Sequence, residues 1–117
     1  MTEVDPGRIV FVLEAGPQHA SPLGTLHGGI ICDLADAALG CAHASLLEDG
    51  ETFTTLELKI NFLKPVWAGK LTAVATAIKT GRTIGLTECR VTDASDSLVA
   101  FATSTCMTLR GEAATGR

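Results

Sequence analysis

Tyrosine is absent from these 117 residues, and four phenylalanines and one tryptophan supply the 4% aromatic content. Flat faces on which nucleobases could stack are therefore scarce. The formal charge of −4 and the pI of about 5.2 have the wrong sign for a surface that neutralises phosphates along a nucleic acid. No nucleic-acid partner is expected. Cysteine occurs as Cys32, Cys41, Cys89 and Cys106, without CxxC or any other metal spacing. Zinc has no ligand set here, and packed, reduced thiols are the simplest reading. The opening Met-Thr-Glu-Val-Asp-Pro has neither a basic start nor an apolar run, so no secretory leader is visible and a cytoplasmic location is expected. Nearly half the residues are apolar (46%), which excludes a disordered chain. A single domain over residues 1–117 with its own core is expected.

What is present is one unusually apolar stretch, from Leu26 to Leu47. Between Gly28 and Leu47 only Asp33, Asp36, His43 and Ser45 are strongly polar, and no proline interrupts. Ala35, Ala37, Ala38, Gly40, Cys41, Ala42 and Ala44 make it a run of small side chains. Alanine and leucine favour helix, and a helix apolar nearly all round is a buried one. A membrane span is the rival reading, but two aspartates well inside the run make that costly. The stretch reads as a core helix carrying acids that packing does not require.

Two features of it suggest chemistry. The first is His27-Gly28-Gly29, where free N–H groups at a helix start meet glycines that let a ligand oxygen reach the backbone. The second is Asp36, whose carboxylate in an apolar helix is costly unless hydrogen-bonded or neutralised. The bland alternatives are a glycine-rich turn and an aspartate that reaches solvent. Gly28 and Asp36 lie eight residues apart, about 12 Å along a helix. One reacting carbonyl cannot touch both, because catalytic contacts lie near 3 Å. If both serve one site, Gly28 of one chain must meet Asp36 of another across a twofold axis.

In chain order, residues 1–7 read as a loose terminus and Arg8 to Glu14 as a first strand. Gly16 to Thr25 is a loop with two prolines, and Thr25 is placed to cap the helix. After the polar turn Glu48-Asp49-Gly50 the period changes. Leu56, Leu58, Ile60 and Phe62 alternate with Thr55, Glu57, Lys59 and Asn61, the pattern of a half-buried strand ended by Pro65. Lys70 to Thr80, Thr83 to Asp93 and Leu98 to Leu109 follow as strands, with a turn at Gly81-Arg82 and a polar tail over residues 111–117. One long helix and consecutive strands with short connections predict an α+β domain whose sheet is an antiparallel meander curled about the helix. A second subunit would cover what the sheet leaves open. The segment holding Lys59, Lys64, Lys70, Lys79 and Arg82 contains no acid, whereas most acids precede it with Arg8 as the single base. Such segregation suits either an anionic ligand or a solvated strand face.

The helix stretch, the strand Thr54-Thr55-Leu56-Glu57-Leu58-Lys59-Ile60-Asn61-Phe62-Leu63-Lys64-Pro65 and the turn Gly81-Arg82 resemble the hotdog-fold acyl-CoA thioesterases, with the phenylacetate-pathway (PaaI-type) branch the nearest in pattern. The resemblance covers about Gly24 to Leu109. It implies a curled antiparallel sheet wrapped around one central helix, paired into homodimers with shared active sites and usually into dimers of dimers. It also implies hydrolysis of acyl-CoA thioesters, of aryl, arylacetyl or short-to-medium acyl groups. The Gly28 N–H of one subunit would polarise the carbonyl, and Asp36 of the other would act as general base or nucleophile. Thr55 falls where relatives carry a hydroxyl that places water, with Thr54 one register step away. Relatives often carry Asn or Gln six residues before the histidine, where this chain has Ser21, with Gln18 and His19 close by.

The chemistry is consistent with these assignments. Thioester hydrolysis puts negative charge on the carbonyl oxygen, and backbone donors at a helix N-terminus stabilise it. A carboxylate opposite activates water or attacks directly. No metal or cofactor is required, since CoA belongs to the substrate. His27 would fix the Gly28 peptide or cap the helix, Gly29 would line the carbonyl site, and Asp33 is a weaker candidate for the acid. His43 reads as an interface residue. Lys64, Lys79, Gly81 and Arg82 are placed to meet the CoA phosphates. Two other readings share the fold: an acyl-CoA sensor that binds without hydrolysis, and a hydroxyacyl-thioester dehydratase, which needs a histidine and an acid opposed in one site.

Overall fold

A histidine starts the helix. In the computed structural model, which describes residues 1–19 and 24–116, α1 spans Gly28–Ala44 and His27 is its N-cap, accepting from the Gly29 N–H. The cap is therefore His27 rather than Thr25, because an imidazole nitrogen two residues upstream reaches the same orphan donor that a threonine would serve. Ile31, Leu34, Ala35, Ala38, Leu39, Ala42 and His43 recur at helical spacing and are buried. The helix ends three residues before Leu47. Ser45 closes it, its hydroxyl donating to the Ala42 carbonyl at 2.7 Å and accepting from the Gly7 N–H at 2.8 Å.

The strands are β1 (Glu3–Asp5), β2 (Arg8–Ala15), β3 (Thr52–Phe62), β4 (Gly69–Thr80), β5 (Ile84–Thr92) and β6 (Leu98–Leu109). All pair antiparallel in the order β1-β2-β4-β5-β6-β3. Three expectations change here. Residues 3–5 form a strand against β2 instead of a loose terminus, and a short 3-10 turn, Gly111–Ala114, follows β6 in the expected tail. β3 is also displaced from the meander: it lies on the far edge, beside β6. Residues 63–68 reach roughly 20 Å when extended, enough to step past two strands spaced about 4.8 Å apart. Val66 is buried on that crossing, and its carbonyl accepts the Leu26 N–H at 2.6 Å.

One face of α1 packs into the concave side of this sheet. Ala35, Ala38 and Ala42 meet Ala73, Ala75, Ala100 and Ala102 in one core that also holds Ile9, Leu39, Leu71, Cys89 and Val91. Small residues on both layers are what bring helix and sheet together. The opposite face of α1 has no cover within the chain: Asp33, Asp36 and Ala37 are exposed, and Cys32, Gly40, Cys41 and Ala44 are half-buried.

Candidate active site

α1 and β3 frame two clefts. The first, about 380 Å³, lies at the helix start and is lined by Thr25, Gly28, Ile31, Phe62, Lys64 and Val66 among others. The Gly29 N–H is committed to His27 Nδ1 at 2.9 Å and the Ile30 N–H to the His27 carbonyl at 3.0 Å. Among the described residues the Gly28 N–H has no acceptor, so it is the free donor of the first turn. The Phe62 ring lies against Gly28, where an added Cβ would come within 3.2 Å of it. His27 thus acts as a cap, and Gly29 offers no free N–H. Lys64 reaches this cleft but forms an ion pair with Asp93 at 2.5 Å. The Lys64 hydrogen bond, joined by the Ser97 amide, holds the Asp93 carboxyl below its ordinary pKa.

The second cleft, about 270 Å³, is lined by Asp36, Ala37, Gly40, Cys41, Ala44, Phe53 and Thr55. Strict alternation along β3 would turn Thr55 outward with Glu57. Instead a bulge leaves Leu56 unpaired, between Thr55 opposite Cys106 and Glu57 opposite Thr105. The extra residue reverses the faces, so Thr55 joins Leu58 and Ile60 on the helix side while Leu56 is 54% exposed. Thr54, opposite Met107, faces away. Bulges next to sites re-aim side chains, and this one aims Thr55 at the cleft of Asp36. Asp36 itself is exposed in the chain, not enclosed by apolar neighbours, because nothing covers that helix face. Burial chiefly, then the charges of Asp36 and Asp33, push the Cys32 thiol pKa up.

The two clefts share no lining residue. A third, about 420 Å³, opens at the far end of α1 between Glu48, Glu51, Gly81, Arg82, Thr108 and Arg110, with His43 on its wall. The Gly81 N–H closes its own turn on the Ile84 carbonyl at 2.8 Å. Arg110 donates to the Arg82 carbonyl and, at 2.5 Å, to Glu51. Lys79 lines none of the three. The acid-free segment is therefore not one basic cluster, because β4 carries the chain along the sheet between Lys64 and Arg82. Ser21 lies outside the described residues. His43, expected at an interface, is only 1% exposed within the chain and bonds Thr108 Oγ1 at 3.0 Å. The sequence reading also missed Thr87, Ser104 and Cys106, which lie under the helix. Their signal was the polar residues at the inward positions of β5 and β6. Among the described residues no group of His, Cys, Asp and Glu could hold a metal ion, and no helix is long and apolar enough to cross a membrane.

A family profile described as Thioesterase superfamily matches residues 23–100, which include every lining residue of the first two clefts. The chain belongs to the thioesterase superfamily. It is 32% identical over 105 residues to the 1,4-dihydroxy-2-naphthoyl-CoA hydrolase of Listeria monocytogenes, covering 90% of this chain and 85% of that one. A crystal structure of a thioesterase from Haemophilus influenzae superposes with a TM-score of 0.88 at 28% identity, covering 93% of this chain and 76% of that one. A phenylacetic acid degradation-related protein from Ralstonia eutropha JMP134 gives 0.83 at 31% identity, over 90% and 80% of the two chains. This thioesterase has their hotdog fold, one helix held in a curled antiparallel sheet, and is a hydrolase of thioesters. The likeness to the phenylacetate-related protein ties it only loosely to that branch.

Proposed function

We propose that this thioesterase hydrolyses acyl-CoA thioesters, of aryl, arylacetyl or short-to-medium acyl groups, at a site completed by two copies of the chain. The Gly28 N–H of one copy polarises the thioester carbonyl. Asp36 of the other acts on the opposite side, taking a proton from water or attacking the carbonyl carbon. Thr55 holds the water beside Asp36. The observation that carries this reading is the separation of the parts. The free helix N–H lies in one cleft, and Asp36 and Thr55 lie in another, which opens on the face of α1 that the chain leaves bare. About 12 Å of helix separates Gly28 from Asp36, and an antiparallel partner helix brings each beside the other's counterpart. His27 supports the donor by holding the first turn.

Charge development explains why those groups suffice. As water or the carboxylate adds, the carbonyl oxygen becomes an oxyanion, and a preset N–H there contributes about 3 kcal/mol. CoA leaves as the thiolate and takes up a proton. Asp36→Asn keeps the side-chain shape and removes the base, so kcat should fall at least about a hundredfold while acyl-CoA binding and assembly persist. Thiol release from a panel of acyl-CoAs measures this. A folded Asn variant with full activity removes Asp36 from the mechanism. A wild-type protein that binds acyl-CoA and releases no thiol is a sensor.

A further inference from the structure

The buried polar side chains beneath α1 form two sets. His43 and Thr108 pair with each other. Thr87 and Ser104, both 1% exposed, bond at 3.1 Å, and their line continues outward. Ser104 Oγ lies 3.6 Å from Cys106 Sγ, and Cys106 Sγ lies 3.8 Å from Thr55 Oγ1. Cys106 is fully buried, whereas Thr55 is exposed in the Asp36 cleft. The line therefore runs across β5, β6 and β3 from the core to the cleft wall. Packing alone does not call for it, since Ala and Val occupy neighbouring inward positions such as Val91, Ala100 and Ala102. Buried hydroxyls are costly unless hydrogen-bonded, and here each bond also fixes the next rotor.

We propose that Cys106, itself fixed by Ser104 and Thr87, is a positioning residue that holds the Thr55 hydroxyl in the orientation needed beside Asp36. This rests on the hydrolytic reading given above. Thr55 immediately precedes the Leu56 bulge on an edge strand, where its hydroxyl would otherwise sample more than one staggered position. One side of Oγ1 is engaged by the Cys106 thiol, which both donates and accepts weakly. The rest of its hydrogen-bonding capacity is directed into the cleft, toward water shared with Asp36. No bond is made or broken at sulfur.

Two readouts test the contact. Three-bond couplings to the Thr55 methyl report its rotamer, and thiol release reports turnover. Wild type should show one Thr55 rotamer. Cys106→Ala should average it and lower kcat about tenfold with KM little changed. In a Thr55→Val background, Cys106→Ala should lower kcat no further. If Cys106→Ala does not fold, Cys106→Val fills the space without a hydrogen-bonding atom and takes its place. An unchanged Thr55 rotamer, or effects on kcat that add in the double variant, overturns the proposal. If the rotamer is lost as expected but wild type hydrolyses no thioester, the contact stands and the hydrolytic reading falls.

Discussion

His43 shows how far a single side chain departs from its expectation when its neighbours are known. Its position on the helix suggested an interface, yet its ring is sealed between α1 and the sheet and stacks at an angle near Phe53, with centroids 5.4 Å apart. Nε2 bonds Thr108, and Nδ1 has no partner among the described residues. Burial lowers its pKa, with Glu51 acting in the opposite sense. Glu48, Arg82 and Arg110 are the other charges around that cleft. A histidine whose folded pKa lies below the unfolded value of about 6.5 binds its proton more readily when unfolded. Its contribution is complete above that pH and declines as pH falls from there toward the folded pKa. Urea unfolding from pH 8 to 5 should therefore show stability falling below about pH 6.5, and His43→Asn should flatten that decline. An identical slope in the variant would assign the acid sensitivity to other groups.

At the scale of elements, the helix and the last four strands were legible because their signals are local. Apolar spacing and the absence of proline mark α1, and period-2 alternation marks β3 to β6. The placement of β3 was not legible, since it depends on where residues 63–68 cross and no local pattern encodes that. The Leu56 bulge was hidden for a related reason. Alternation in the sequence is intact, and only pairing with β6 shows that one residue is left over. The helix start was half legible: His-Gly-Gly marked a donor site, but which glycine keeps its N–H depends on the His27 rotamer. That rotamer makes a clear prediction. Gly28→Ala retains the N–H and places a methyl against Phe62, a half-exposed ring with room to shift. It should lower kcat less than about tenfold, whereas Gly28→Pro, lacking the donor, should lower it about a hundred- to a thousandfold. Circular dichroism must first show that both variants retain the helix. Equal losses in two folded variants would mean that the N–H is not the operative group.

As a single chain the molecule leaves one face of α1 uncovered. Asp33, Asp36 and Ala37 lie open on a helix whose other face is packed, and the parts proposed for catalysis stand in separate clefts. An antiparallel second copy would also bring the helix start of one chain, with Lys64, toward the far end of the other's helix, with Arg82. The two expected phosphate contacts would then come from different chains. Lys64 is already paired with Asp93, so Arg82 is the better contact, its planar head suited to phosphate. Arg82→Ala should raise KM for acyl-CoA severalfold, leave kcat nearly unchanged and weaken the salt dependence of KM. A short acyl thioester without the nucleotide should not respond. Equal responses of both substrates would place the effect in the fold.

Mixing two inactive chains tests the shared site most directly. Asp36→Asn and Gly28→Pro chains, each confirmed as folded, are unfolded, combined in equal amounts and refolded together. Each mixed dimer then carries both lesions in one site and leaves the other intact. Half of randomly paired dimers are mixed, so thiol release should recover to about a quarter of the wild-type rate, far above either parent. Activity no greater than the sum of the parents, with mixed dimers present, would show that Gly28 and Asp36 do not meet across the two chains.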